Sequence, residues 1–187
     1  MACCKERGET EPVQGIALEF CGVCGVKAKK VNRITVEQIL ESEHQNEVIE
    51  TLYHYCETPI CNVVYFSNET GQYFNKNDVR VRVGIKETED PVQICYCFDF
   101  TEQMVRDDLI TKGHTAIPEF ITTEIQAGNC ACEVKNPSGR CCLGEVSKVV
   151  KRLLKEREGL AAGERTFEPA CADLRVSSSH DCCALKE

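Results

Sequence analysis

Fifteen of the 187 residues are cysteines, and ten of these fall in pairs between residues 21 and 142. This content is close to the ~8–10 % at which disulfides or metals replace part of a hydrophobic core. The N-terminal residues contain neither an apolar run nor a small-residue cleavage site, so we expect a cytoplasmic protein whose thiols stay reduced. The cysteine spacing therefore predicts metal sites rather than disulfides.

The remaining composition excludes several classes of function. A net charge of −8 and short basic runs argue against nucleic-acid binding, which requires a concentrated basic face. No apolar run approaches the ~18–20 residues that span a bilayer, so we expect no membrane insertion. The sequence contains no nucleophile–base pair, phosphate-binding loop or open metal motif, and we therefore do not expect an enzyme.

The hydrophobic pattern predicts an α+β protein in which a sheet precedes a group of helices. An acidic run over residues 87–91 ends in proline and is the best candidate for a linker. We predict four segments: a disordered arm over 1–15, a first domain over 16–88, a second over 92–157, and a flexible cysteine-containing tail over 158–187.

Local signals locate the elements of both halves. Thr35 and Gln38 have the spacing of a capping box and predict a short helix, followed by a meandering sheet with strands at 53–56, 62–66, 72–74 and 79–83. In the second half we expect three helices. They run from a Thr101 cap through Ile110, from Ile117 to Ile125, and along an apolar face made by Leu143, Val146, Val149, Val150, Leu153 and Leu154.

Two cysteine pairs in the first half are typical of a zinc site. Cys21 and Cys24 form a C-x-x-C turn, and Cys56 and Cys61 flank a loop between two predicted strands. Four sulfur ligands complete the tetrahedral site that zinc prefers, and such a closed site is structural. His44 or His54 could replace one sulfur, and the alternative to a metal site is that the cysteines are small buried apolar residues.

The second half offers six cysteines for the four places of a [2Fe–2S] cluster, which soft thiolate ligands hold. These are Cys95, Cys97, Cys130, Cys132, Cys141 and Cys142. A C-x-C pair in extended backbone can direct both sulfurs to one side, and cysteines just before helix starts gain from the positive end of the helix dipole. Spacing alone leaves a second zinc site as the alternative.

Four segments together resemble the N-terminal region of the long-form CopZ copper chaperones. They are residues 55–66, 81–87, 95–97 and 136–142, and the resemblance extends over about residues 16–157. It implies a treble-clef or ribbon-like zinc domain followed by a small helical [2Fe–2S] domain similar to bacterioferritin-associated ferredoxin. The resemblance assigns zinc to one set of ligands, Cys21, Cys24, Cys56 and Cys61, and the cluster to a second, Cys95, Cys97, Cys132 and either Cys141 or Cys142. We prefer Cys141, because Gly139-Arg140-Cys141 matches the glycine-containing turn of the ferredoxin relatives.

The chain also departs from that family. The long chaperones continue into a domain whose Met-x-Cys-x-x-Cys loop carries Cu(I), and here neither Met1 nor Met104 precedes such a pair. Thiols outside both groups could bind Cu(I) transiently instead, namely Cys3, Cys4, Cys171, Cys182 and Cys183. We expect a metallochaperone or its redox accessory, with a metal-transporting ATPase or a redox protein as partner. The alternatives are a small ferredoxin-like electron carrier and a scaffold in which both centres are structural.

Overall fold

A computed structural model describes residues 18–164 of the chain, with side chains described as far as residue 159. The strands are β1 Lys29–Val31, β2 Tyr53–Tyr55, β3 Val63–Ser67, β4 Gln72–Asn75, β5 Gln93–Cys95 and β6 Phe100–Thr101. The helices are α1 Arg33–Ile39, α2 Glu102–Thr111, α3 Ile117–Gln126, α4 Cys132–Lys135 and α5 Leu143–Glu164. The predicted arm over 1–15 and the five cysteines at 3, 4, 171, 182 and 183 lie outside the described residues.

The first half is a four-stranded antiparallel sheet in the order β1-β2-β3-β4, with α1 between β1 and β2. This arrangement confirms the α+β class and three strands of the predicted meander, β2, β3 and β4, whereas β1 was not predicted. Strand β3 is buried along its whole length because apolar groups lie on both of its sides. Val64 and Tyr65 join the main core with residues of α1, whereas Val63 and Phe66 pack among the cysteines. The sheet therefore separates an ordinary core from a cluster of thiols.

The N-cap of helix α1 lies three residues earlier than predicted. Asn32 is the N-cap residue, and Thr35 lies within the first turn with none of its surface exposed. The Thr35 hydroxyl has no hydrogen-bond partner among the described residues. The predicted capping box is therefore wrong, because Thr35 faces the second half of the protein instead of the helix end.

The predicted strand over residues 79–83 is also wrong. Its burial does alternate, with Val79 and Val83 buried and Arg80 and Arg82 exposed. The segment forms only an isolated bridge between Val79 and Leu40, and then enters a 3₁₀ turn over Gly84–Lys86. Alternation thus identified the buried face but not the missing hydrogen-bonded partner.

The second half consists of the β5–β6 hairpin and helices α2 to α5. Thr101 caps α2 as predicted, accepting a hydrogen bond from the Met104 amide at 3.4 Å. Helix α3 begins at the predicted Ile117 and carries Pro118 in its first turn, where proline is tolerated. The predicted face of α5 packs into a core with α2 and α3. Helix α5 continues to Glu164, beyond residue 157 where we expected regular structure to end. None of the described helices has the length and apolar character needed to cross a membrane.

The two halves contact each other directly on both sides of the acidic run. Helix α4 rests on α1, and the Tyr65 hydroxyl donates a hydrogen bond to the Pro137 carbonyl at 2.6 Å. At a second contact, the Gly84 amide donates to the Tyr96 hydroxyl at 2.8 Å. A Cβ atom at Gly84 would lie 1.9 Å from the Gln93 carbonyl oxygen, so only glycine allows this approach. The second half is thus held against the first by its own loops.

Gly139 tests how much this contact contributes to stability. Its φ is +65°, and a Cβ atom there would lie 2.8 Å from the Thr35 hydroxyl. Gly128 has a φ of +75° with nothing within 4 Å, and so provides a matched control. We expect Gly128→Ala to lower the free energy of unfolding by about 1–2 kcal/mol through backbone strain. We expect Gly139→Ala to cost about 1–3 kcal/mol more through the clash, as measured by urea unfolding. Equal losses in the two variants would contradict the contact.

Candidate metal centres

Four thiols of the first half converge in the structure. The Sγ atoms of Cys21, Cys24, Cys56 and Cys61 all lie within 4.8 Å of one another. Cys24 and Cys56 are 3.7 Å apart, and Cys21 and Cys61 are 4.0 Å apart. A tetrahedral zinc ion with Zn–S bonds of ~2.3 Å separates its sulfur ligands by roughly 3.8 Å. The donor set and its spacing therefore fit zinc.

Tight backbone turns bring each pair of sulfurs together. In the first pair, the Gly25 amide donates to the Cys21 carbonyl at 2.8 Å, and Gly25 adopts a φ of +70° that favours glycine. In the second pair, the Cys61 amide donates to the Thr58 carbonyl at 3.2 Å. The Cys56 amide is bonded to β3, so the 56–61 loop starts from a fixed point of the sheet.

The four thiols differ in acidity. Burial raises the pKa of Cys21, and it raises the pKa of Cys61 to about 12. Burial also opposes ionisation of Cys24, but hydrogen bonds from the Thr58 hydroxyl and a backbone amide outweigh it and lower the pKa to about 6. Like charges this close do not all ionise without a cation, whereas zinc binds cysteine as thiolate. A dication would supply that charge.

A buried lysine lies beside this group and was not predicted from the sequence. Lys86 is 5 % exposed, and its ammonium donates to the Thr58 carbonyl at 2.8 Å and to the Cys61 carbonyl at 3.1 Å. Burial lowers the pKa of Lys86, and the four cysteines oppose that effect. Its only sequence signal was a lysine placed after an alternating apolar run, which does not distinguish a buried ammonium from a solvated one.

Neither histidine considered as a substitute ligand joins the four thiols. His54 is buried and stacks on Phe66 at a ring-centroid distance of 5.4 Å. His44 lies at the surface, where its Nδ1 atom is 2.8 Å from a Glu47 carboxylate oxygen. Among residues 18–159, the group of four sulfurs therefore contains no nitrogen ligand.

Five thiols of the second half lie near one another, and four of them form two close sulfur–sulfur contacts. Cys95 at the end of β5 lies 2.9 Å from Cys142, and Cys97 in the following turn lies 3.5 Å from Cys132 at the start of α4. Cys130, Cys97 and Cys132 also lie within 4.8 Å of one another. Each contact joins one cysteine of the C-x-C turn to one from the 130–142 segment. Soft sulfur donors in this number fit an iron–sulfur cluster, and they also fit a second zinc ion.

Cys142, and not Cys141, points into this group. Cys142 is 2 % exposed and its sulfur lies 2.9 Å from that of Cys95, whereas Cys141 is exposed. Both residues lie along a cleft of about 820 Å³ between the two halves. The Asn136 side chain bonds the Arg140 carbonyl at 2.7 Å and fixes the turn that precedes both cysteines. The geometry thus favours the residue that the sequence ranked second.

Hydrogen bonds and burial also differentiate the thiols of the second half. The hydrogen bond from Cys142 lowers the pKa of Cys95 to about 6 and raises the pKa of Cys142 itself. Burial raises the pKa of Cys132 to about 12. The Ala131 amide donates to Cys97 Sγ at 3.3 Å, a contact that stabilises thiolate sulfur.

Comparisons with known proteins agree on one family. Residues 18–80 match the zinc-binding domain family of CopZ. The copper chaperone CopZ of Archaeoglobus fulgidus is 31 % identical over 150 residues, which cover 75 % of this chain and 71 % of that protein. The X-ray structure of the CopZ N-terminal domain from the same organism matches with a TM-score of 0.57 and 30 % identity, and the match covers 70 % of this chain and 96 % of that domain.

A pH experiment can verify that His54 is a core residue and not a ligand. Burial lowers the pKa of His54, so below its ordinary value of ~6.5 the unfolded chain binds a proton that the folded chain does not. The wild-type free energy of unfolding should therefore fall as the pH drops through that value, by at most about 1.4 kcal/mol per pH unit from this group. We expect His54→Phe to show a flatter dependence in urea unfolding with excess zinc. Loss of bound zinc in the variant would contradict this role.

Proposed function

The chain belongs to the CopZ family, and on this premise we propose that it is a cytoplasmic metal-binding accessory of copper trafficking. It holds a structural zinc ion in its first half and a [2Fe–2S] cluster in its second. The observation that carries the proposal is the presence of two separate thiol groups, each formed by sulfurs that are distant in sequence and close in space. The boundaries 16–88 and 92–157 remain our proposed limits of the two units.

The zinc ligands in this proposal are Cys21, Cys24, Cys56 and Cys61. Three of them are buried, and the fourth accepts a hydrogen bond from Thr58. Four protein sulfurs leave no open position for water or substrate, so the role is structural. The ion would tie the N-terminal C-x-x-C turn to the hairpin that carries the main core.

The cluster ligands we propose are Cys95, Cys97, Cys132 and Cys142. Cys142 takes the place of the predicted Cys141, because its contact with Cys95 and its burial support it as the fourth ligand. When bound, such a cluster would supply or accept one electron, which is the chemistry needed to keep copper as Cu(I). The protein's part is to enclose the sulfurs and to stabilise their negative charge through amides such as that of Ala131.

We propose copper or another soft ion as the cargo, and a metal-transporting ATPase or a redox protein as the partner. The relationship to a protein named as a copper chaperone supports a carrier rather than an enzyme. Seven cysteines lie outside the two proposed ligand sets. Cys130 lies beside two proposed cluster ligands, Cys97 and Cys132, whereas Cys141 and the cysteines at 3, 4, 171, 182 and 183 remain candidates for transient contacts with a soft ion.

Metal analysis is the first test of this proposal. Protein purified without oxygen should contain one zinc ion, two irons and two sulfides per chain, and should show the visible absorption of a [2Fe–2S] centre. Colourless protein with two zinc ions would exclude electron transfer and would leave a scaffold. A cluster that cycles reversibly while the protein takes up no Cu(I) would favour a small electron carrier.

The adjacent cysteines provide a matched test of the cluster ligands. We expect Cys142→Ser to lose the cluster or to shift its absorption, because this change removes a proposed ligand. Cys141→Ser should retain two irons and the wild-type spectrum, since its thiol is exposed. Zinc content should stay at one ion in both variants. The reverse pattern of iron loss would restore the prediction made from the sequence.

A copper titration tests the cargo. Under anaerobic conditions the protein should bind Cu(I) stoichiometrically while keeping its zinc and iron. Replacing Cys3, Cys4, Cys171, Cys182 and Cys183 together by serine should abolish that binding, since these are the thiols free of both proposed centres outside residues 18–164. Unchanged Cu(I) binding in the five-fold variant would show that they are not the acceptors, and Cys141→Ser would then be measured in the same way.

A further inference from the structure

We propose that Lys86 is the counter-charge of the four-thiolate zinc site: a positioning residue whose buried ammonium offsets the negative charge of the zinc–sulfur complex. A zinc ion with four thiolates carries a net charge of two minus. The inference rests on the proposed assignment of zinc to the first thiol group, and adds to it a specific electrostatic partner outside the ligands.

The first observation is that Lys86 is a buried cation without a carboxylate partner in the described part of the chain. Its ammonium contacts only carbonyl oxygens, those of Thr58 and Cys61. The neighbouring Glu87 is already engaged by Lys76 at 2.9 Å and by Arg82 at 2.8 Å. Burying an uncompensated charge is costly, so a nearby anion is required for this arrangement to be favourable.

The second observation is where the ammonium sits. Both of its acceptors belong to the 56–61 loop, whose two ends provide Cys56 and Cys61. Thr58 lies between the lysine and a third sulfur, since its carbonyl accepts from Lys86 and its hydroxyl lies 3.3 Å from Cys24 Sγ. When Cys24 is a thiolate, this hydroxyl donates to it. The lysine is therefore positioned against the loop that carries half of the ligands.

The third observation is that the backbone holds Lys86 rigidly. It ends the Gly84–Lys86 turn, in which the Lys86 amide donates to the Val83 carbonyl at 2.7 Å. Gly84, at the start of this turn, is itself held by a hydrogen bond from its amide to the Tyr96 hydroxyl and by its close packing against the Gln93 backbone. The fixed backbone sets the point from which the Lys86 side chain reaches the loop, although the side chain still loses its rotamer freedom when it is buried. The charge is thus pre-positioned for the metal site.

The expected consequence is tighter zinc binding and less reactive sulfurs. A positive charge beside thiolates stabilises them relative to protonated thiols, and it draws electron density away from sulfur. Removing an outer-shell partner of a metal site typically lowers metal affinity by about 10–100-fold. Sulfurs without their counter-charge should also be easier to oxidise.

Three variants separate charge from shape. Lys86→Gln keeps a hydrogen-bond donor but removes the charge, and Lys86→Arg keeps the charge but changes the shape. Lys76→Gln is the control, because the Lys76 ammonium is paired to Glu87 and also donates to the Lys86 carbonyl at 3.1 Å. This change therefore measures how far a disturbed Lys86 backbone, with its charge intact, affects the site. For each we would measure zinc affinity by competition with a chelator. We would also measure the sulfur-to-metal charge-transfer band after replacing zinc by Co²⁺, because a loss of stability alone does not move that band.

We expect Lys86→Gln to bind zinc about tenfold or more weakly and to shift the charge-transfer band to longer wavelength. Lys86→Arg should recover most of both properties, and Lys76→Gln should match the wild type. Wild-type affinity and band position in Lys86→Gln would overturn the proposal. If Lys86→Gln does not fold, a Lys86→Arg variant that folds and binds zinc would still support the proposal. If neither variant folds, the proposal is overturned, and the shape of the lysine side chain rather than its charge is what the site requires. Wild-type protein without zinc at the four thiols would instead refute the proposed function itself.

Discussion

Cys21 and Cys61 lie 40 positions apart in the sequence, yet their sulfur atoms approach within 4.0 Å, and Cys24 and Cys56 approach within 3.7 Å across a similar separation. The rest of the first half depends on this convergence. The thiols form one side of the packing around β3, whose other side belongs to the main core. Without a cation, burial raises the pKa of Cys21 and of Cys61, so these two thiols resist ionisation. A dication would neutralise the repulsion between thiolates and cross-link the C-x-x-C turn to the hairpin that carries Cys56 and Cys61.

The Gly84–Lys86 turn connects the first thiol group to the second half of the protein. One short turn, Gly84–Lys86, presents its lysine to the 56–61 loop and its glycine to the strand that leads into Cys95. Tyr96 lies between the two cysteines of the C-x-C turn in sequence. Its hydroxyl accepts a hydrogen bond from the Gly84 amide. The Gly84–Lys86 turn therefore contacts a segment that carries cysteines in each half. A change in the packing of this turn would be felt at both thiol groups.

Features that depend on neighbouring residues in the sequence were predicted correctly. Features that depend on a residue or strand distant in the sequence were not. The Thr101 cap, the start of α3 and the apolar face of α5 were correct because each follows from residues within a single helix and its cap. The strand over 79–83 was wrong because alternation reports burial and is silent about pairing. The Thr35 cap was wrong because the residue serves a contact with Gly139, over a hundred positions away. Spacing brought out the candidate ligands, but the choice between neighbours such as Cys141 and Cys142 depends on which way a turn faces. Nothing in the sequence distinguished Lys86 as a buried lysine, since the burial of a charge depends on tertiary structure.

The contact of α4 with α1 has a consequence for how the protein is made. All four thiols of the first group precede residue 62, so they are synthesised before any cysteine of the second group. Domains fold in the order of their synthesis, N-terminal first. The helix that bears Cys132 docks on α1, and the loop after it hydrogen-bonds to Tyr65, so the later thiols close against a surface completed earlier. If both proposed centres are filled, their assembly would therefore have a direction, because the first half, completed earlier, forms the surface on which the second thiol group closes.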